Sequence, residues 1–161
     1  MFNYNNNKII AIGDIHGDYY IFIELLKMAK VINSDLKWKG KDTFVINSAS
    51  DATSDTFDGG ADTDTLELAT GTSTFSNNAS IVNIENIKAH ASGGTINLSG
   101  QSEGFTIVGN TSNDIITGGD GNDIISGGGG NDTFKITSGT DIISDINTLD
   151  VFIVSSGATM N

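Results

Sequence analysis

A nine-residue periodicity of large apolar residues runs through the second half of the chain. The series consists of Leu98, Ile107, Ile116, Ile125, Phe134, Ile143 and Phe152. The eight positions between successive members are mostly polar or glycine. Other apolar residues occur there only in pairs and triplets, and no window supports a long helix. The pattern predicts very short β-strands joined by tight turns, with the periodic residues pointing inward and stacking between successive coils.

A second register of aspartates lies two positions ahead of the apolar one, at Asp114, Asp123, Asp132, Asp141 and Asp150. Glycines precede the aspartate in GGDGNDIIS (118–126) and GGGGNDTFK (127–135). Glycine permits turn conformations closed to other residues, and a carboxylate is a hard ligand that calcium prefers. Stacked coils place the aspartates about 4.8 Å apart, a spacing that is repulsive without a cation. Cation binding is therefore expected to be coupled to folding.

These units resemble the RTX (hemolysin-type) family, whose repeat is GGxGxDxUx. The resemblance implies a right-handed parallel β-roll with two nonapeptides per coil and Ca²⁺ between turns on the same side. It also implies that Asp114 and Asp132 face one side, and Asp123 and Asp141 the other. The calcium ligands that it implies are Asp114, Gly118, Asp120, Asp123, Gly127, Gly129, Asp132 and Asp141. Outside 109–135 the units lose glycines, and a solenoid that binds no metal stays open there.

An earlier copy of the pattern lies in GGADTDTLE, where Asp64 and Leu66 take the aspartate and apolar positions. Phe57, Phe75 and Ile84 extend its apolar series. This register is out of phase with the later one, which predicts an insertion or bend between them. For Asp62 and Asp64, calcium binding and ordinary turn formation both stay open.

The first 45 residues differ in composition, with six of the eight Lys and three of the twenty Gly. A strand at Lys8–Ile12, a helix at 19–32 and a strand from Thr43 predict an incomplete α/β segment. Gly13–Gly17 (GDIHG) resembles the first motif of calcineurin-like metallophosphoesterases, which implies that Asp14 and His16 are remnants of a divalent-metal site. The second and third motifs of that family are absent, so no catalytic residue is assigned.

The junction between the two parts also has two interpretations. Asp42-Thr43-Phe44-Val45 either begins the next phosphoesterase strand or ends an RTX repeat of the type seen at Asp132–Phe134. We divide the chain into an α/β segment (1–45), a solenoid with degenerate repeats (46–108) and a calcium-binding β-roll with C-terminal strands (109–161).

Charge and composition narrow the function classes. The net charge of -12 is uneven: residues 1–42 carry six Lys against five acidic residues, and the remainder two Lys against fifteen. The acidic part would repel nucleic acid and anionic membranes. Cys is absent, no segment is long enough to span a bilayer, and the N-terminus lacks the features of a secretory signal.

The predicted function is a calcium-binding module that folds on binding calcium. The RTX resemblance implies an extracellular or cell-surface location reached by type I secretion. The alternative is a metal-dependent phosphoesterase fragment without a complete site. No protein or surface partner is indicated.

Overall fold

The computed structural model describes residues 41–46, 56–68, 71–75, 80–156 and 158–161. The predicted strand at Lys8–Ile12, the predicted helix at 19–32, and Asp14 and His16 lie outside these residues. The described part contains β-strands and no helix. The strands are β1 Thr43–Ile46, β2 Phe57–Asp58, β3 Thr65–Leu68, β4 Thr72–Thr74, β5 Ile81–Val82, β6 Asn86–Lys88, β7 Thr95–Asn97, β8 Thr106–Asn110, β9 Ile115–Thr117, β10 Ile124–Gly128, β11 Thr133–Ile136, β12 Thr140–Ile143, β13 Val151–Val154 and β14 Thr159–Met160.

All described strand pairs are parallel, and from β6 to β14 successive strands alternate between two main sheets. Sheet 1 has seven strands in the order β1-β3-β6-β8-β10-β12-β14, and sheet 2 has five in the order β13-β11-β9-β7-β4. A small third sheet pairs β2 with β5. One strand of each main sheet and its turns make one coil, which confirms the predicted parallel β-solenoid.

The apolar register forms the interior of the solenoid. Ile107 pairs with Ile125 in sheet 1, and Ile116 pairs with Phe134 in sheet 2, so residues eighteen apart stack. Burial alternates along β3, β8, β10, β11 and β12, as expected where one face of a sheet meets the core. The fully buried members of the register are Leu66, Phe75, Leu98, Ile107, Ile116, Ile125 and Phe134. The two-nonapeptide coil predicted from the repeats is confirmed.

Aromatic side chains pack at both ends of this interior. At one end Phe57 makes edge-to-face contacts with Phe44 and Phe75, at centroid distances of 6.1 and 6.4 Å. At the other, Phe152 stacks on Phe134 at 5.2 Å. Phe152 is only partly buried because β13 is the edge strand of sheet 2.

The coils shorten along the chain. Stacked positions are 22 residues apart between β1 and β3, 21 between β3 and β6, 20 between β7 and β9, and 18 between the later strands as far as β13. The last pair, β12 and β14, is 19 residues apart. The change of phase between the early and late repeats is therefore spread over several coils. No single insertion produces it.

The first described strand belongs to the solenoid. Thr43 to Ile46 pair in register with Thr65 to Leu68, and Ile46 is buried in the common core. Of the two interpretations of the junction, this pairing favours the one in which Asp42-Thr43-Phe44 ends a solenoid repeat.

Candidate metal centre

Two rows of stacked residues lie where the turns enter the strands, one row beside each main sheet. The first ladder, beside sheet 1, consists of Asp42, Asp64, Glu85, Phe105, Asp123 and Asp141. The second ladder, beside sheet 2, consists of Gly71, Gly94, Asp114, Asp132 and Asp150. The predicted division of the repeat aspartates between two sides is thus present in the structure.

One carboxylate oxygen of each repeat aspartate joins neighbouring coils. The backbone N–H of Phe105 donates to Oδ1 of Asp123 at 2.8 Å, and that of Asp123 donates to Oδ1 of Asp141 at 2.9 Å. In the second ladder, Asp114 donates in the same way to Asp132, and Asp132 donates to Asp150. These are charge-assisted hydrogen bonds to backbone groups, so the register has a structural function that needs no cation.

The asparagines that precede the aspartates join the coils in the opposite direction. Oδ1 of Asn113 accepts from the backbone N–H of Asn131 at 2.8 Å, and Oδ1 of Asn122 accepts from that of Thr140 at 2.8 Å. Sequence reasoning missed this function. The signal was the nine-residue spacing of Asn113, Asn122 and Asn131.

The second carboxylate oxygen faces the turn. Asp123 and Asp132 are each 1% exposed, and within the described part of the chain Oδ2 of neither residue has a hydrogen-bond partner. Each Oδ2 lies against the glycine five residues earlier, where a Cβ at Gly118 or Gly127 would overlap it. The first glycine of each repeat therefore allows the turn to approach a buried carboxylate oxygen that has no hydrogen-bond partner among the described residues.

Burial also perturbs the acidity of these carboxyl groups. Loss of hydration on burial raises the pKa of Asp123 to about 7. The hydrogen bond from Phe105 lowers this pKa in part, and the charge of Asp141 raises it further. Burial likewise raises the pKa of Asp132, Asp114 and Asp141. A carboxylate that is costly to ionise in the folded state is one that a bound cation would stabilise.

Backbone carbonyls are the other oxygen donors of these turns. Among the described residues, no three His, Cys, Asp or Glu side chains lie close enough together to hold an ion. A cation beside Asp123 or Asp132 would therefore complete its coordination with carbonyl groups and water, both of which hard cations such as Ca²⁺ accept. The turns 118–122 and 127–131 contain Gly118, Asp120, Gly127 and Gly129. The side chain of Asp120 is exposed, so its backbone carbonyl is the group that could contact an ion in the turn.

The early turn before β3 has the same arrangement. Asp64 is fully buried, its Oδ1 accepts from the backbone N–H of Asp42 at 2.6 Å, and its Oδ2 lacks a partner among the described residues. A Cβ at Gly59 would overlap that Oδ2. Burial raises the pKa of Asp64, and the charge of Glu85 raises it further.

Glu85 was missed by sequence reasoning. Its Oε2 accepts from the backbone N–H of Asp64 at 2.9 Å, so it takes the place of a repeat aspartate one coil later. The spacing of 21 residues and the change from Asp to Glu removed it from the nine-residue register.

The fold and these turns define a class of protein: a parallel β-solenoid whose glycine turns carry buried, unsatisfied carboxylate oxygens. A family model of the RTX calcium-binding nonapeptide repeat matches the chain in four copies, over residues 51–75 and 106–134. The chain thus carries calcium-binding repeats, and the ion that they imply is Ca²⁺. No curated protein and no solved structure matches the chain significantly. The described part contains no helix suited to crossing a bilayer.

Proposed function

We propose that this chain is a calcium-dependent folding module of a secreted or cell-surface protein. Calcium binds in the glycine turns of the 18-residue coils, and binding stabilises the solenoid against the repulsion of its stacked carboxylates. The proposal rests on the RTX repeats matched at 106–134 and on the geometry of the turns that they contain.

One observation carries the proposal: Oδ2 of Asp123 and Oδ2 of Asp132 are buried without a protein partner, each packed against a glycine of the repeat turn at a place where no side chain fits. An uncompensated buried carboxylate costs several kcal/mol, whether it stays charged or takes up a proton. A calcium ion removes that cost and adds ligand bonds, so its binding energy becomes folding energy.

We assign the ligands by turn. In the turn before β10, the carbonyls of Gly118 and Asp120 join Oδ2 of Asp123. In the turn before β11, the carbonyls of Gly127 and Gly129 join Oδ2 of Asp132. Asp114 and Asp141 belong to the same ladders and extend the negative field along each row. The turn that contains Asp64 is a third candidate because it repeats the same arrangement of carboxylate and glycine.

An extracellular location follows from the expected affinity. Sites built from few charged ligands in extracellular modules bind calcium at about 10⁻⁴–10⁻³ M. Such a site stays empty in the cytosol and fills outside the cell, so the chain would reach its full stability only after export. Export by a type I route is part of this proposal, and comparing folding at cytosolic and extracellular calcium concentrations tests its physical basis.

The experiment is a calcium titration of metal-depleted protein, followed by far-ultraviolet circular dichroism and by isothermal calorimetry. The expected result is a gain of β-signal with bound calcium, and a weaker response to magnesium, which sheds water less readily. Asp132→Asn should lose one ion. Glu103→Gln, which removes one exposed carboxylate outside both ladders, is the matched control and should keep the wild-type stoichiometry.

Absence of both heat and β-signal in millimolar calcium would overturn the proposal. A chain that is fully ordered in chelator and unchanged by calcium would instead support the metal-free solenoid. The phosphoesterase alternative rests on Gly13–Gly17 alone, and no observation on the described residues supports it.

A further inference from the structure

Side-chain and backbone hydrogen bonds of Asn110 hold the turn before β9. Nδ2 of Asn110 donates both to Oδ1 of Asp114, at 3.2 Å, and to the carbonyl of His90 in the preceding coil, at 2.5 Å. The backbone N–H of Asn110 also donates to Oδ2 of Asp114 at 3.0 Å. One side-chain amide thus bridges the repeat carboxylate and a turn carbonyl, two kinds of oxygen that a calcium ion would otherwise hold together.

Two other degenerate turns carry a similar side-chain donor. Oγ1 of Thr137 donates to the carbonyl of Gly119 at 2.7 Å, and Nδ2 of Asn147 donates to the carbonyl of Gly130 at 2.7 Å. In each case the acceptor is a turn carbonyl one coil earlier, as it is for Asn110 and His90. A donor that points at a carbonyl supplies positive electrostatic potential where a cation would supply charge.

The two full repeats lack such donors because glycine occupies the second position of each turn. Gly119 and Gly128 have φ angles of +114° and +90°, and side chains there would run into the carbonyls of Gln101 and Asn110. These same turns contain the partnerless Oδ2 atoms of Asp123 and Asp132. Asn110, which occupies the equivalent position before Asp114, has no left-handed φ angle, and both carboxylate oxygens of Asp114 are bonded.

We propose that Asn110, Thr137 and Asn147 are built-in substitutes for calcium, so that the degenerate turns of the late coils hold without metal and the two full repeats beside them depend on it. The donor occupies the second turn position in the turns of Asn110 and Thr137, and the third in the turn of Asn147. In the glycine turns Oδ2 of Asp123 and Oδ2 of Asp132 have no partner, whereas the side chain of Asn110 donates directly to the carboxylate of Asp114. This inference rests on the proposed function and specifies which turns of the late coils carry it out.

The decisive variant is Asn110→Gly, which removes the amide and restores a glycine at the second position. The expected result is a gain of one calcium ion in calorimetry, and a midpoint of thermal unfolding several degrees lower in metal-depleted protein but recovered by calcium. Thr111→Gly is the matched control, because it adds a glycine to the same turn at an exposed position. It should keep the wild-type stoichiometry.

Thr137→Val provides an independent test that preserves the shape of the side chain. Loss of its hydroxyl should lower the unfolding midpoint of metal-depleted protein by roughly 4 °C, the effect of about one net hydrogen bond. One result would overturn this inference alone: the wild-type protein binds calcium, but Asn110→Gly changes neither the number of bound ions nor the stability without metal. Wild-type protein that binds no calcium would overturn the proposed function instead.

Discussion

The backbone N–H of Asp114 donates a 2.8 Å hydrogen bond to Oδ1 of Asp132, the residue one coil further along the second ladder. Oδ2 of the same Asp132 faces its own glycine turn and has no partner among the described residues. One side chain therefore has two separable functions: one oxygen joins the coils, and the other is available to a cation. Substitutions that keep one oxygen and change the other can distinguish them.

Replacing Asp123 with asparagine should stabilise the metal-depleted protein while removing a calcium ligand. Oδ1 of the amide can still accept from Phe105, and the buried charge is gone. We expect the free energy of unfolding in chelator at pH 8 to rise by about 1–3 kcal/mol. Urea unfolding with and without calcium measures both effects, and a less stable metal-free variant would contradict the expectation.

Replacing Asp123 with alanine should have the opposite effect on metal-depleted protein. Alanine removes the acceptor of the Phe105 N–H, which is then buried without a partner, at a cost of about 1–3 kcal/mol. The same urea series applies. Equal effects of alanine and asparagine would mean that Oδ1 contributes nothing to the joining of the coils.

The metal-depleted protein should be more stable at pH 5 than at pH 8. Burial raises the pKa of folded Asp123 from its ordinary 3.8 to about 7, so the folded state holds a proton that the unfolded state has released. The stabilisation from this proton is complete below pH 4 and is lost as the pH rises through 7. Urea midpoints across this range measure it, and Asp123→Asn should flatten the profile. Greater stability at pH 8 would count against the raised pKa.

Two neighbouring glycines should respond differently to alanine. Gly128 has a φ of +90° and its Cβ would overlap the carbonyl of Asn110, whereas a Cβ at Gly129 would be no closer than 3.4 Å to its neighbours. We expect Gly128→Ala to cost about 1–3 kcal/mol of calcium-loaded stability, and Gly129→Ala to change it little. Denaturation in saturating calcium measures both. Equal costs would show that the strain is absent.

Phe134 should be the most sensitive position of the late core. It is fully buried and stacked on Phe152. Phe134→Leu removes the ring contact and leaves a small cavity, at a cost of about 1–2 kcal/mol. Ile153→Ala, on the adjacent strand but half exposed, should stay within about 0.5 kcal/mol. A loss at Ile153 as large as that at Phe134 would mean that the exposed side of β13 is covered in solution.

The sequence predicted the late coils well because their apolar and aspartate positions both recur every nine residues. Ile125 and Phe134 recur at nine residues, and the structure buries both completely. The position of Glu85 in the first ladder was not predicted, because its coil is longer and its carboxylate belongs to a different residue type. The hydrogen bonds that close the turn before Asp114 were not predicted either, because Asn110 and His90 are twenty residues apart and only the stacking of the coils brings them together. Local spacing encodes the repeat, whereas contacts between coils depend on the length of every coil between them.

The shortening of the coils from 22 to 18 residues has a consequence for how this chain tolerates change. The longer early coils have corners that already absorb extra residues, so small insertions there need only lengthen a corner. In the 18-residue coils the core residues recur every nine positions, and successive side chains of a strand point to opposite faces of its sheet. Deleting a single residue there would turn the following strand inside out, exposing its core residue and burying its polar neighbours. Length variation among natural forms of this solenoid should therefore accumulate at its early end.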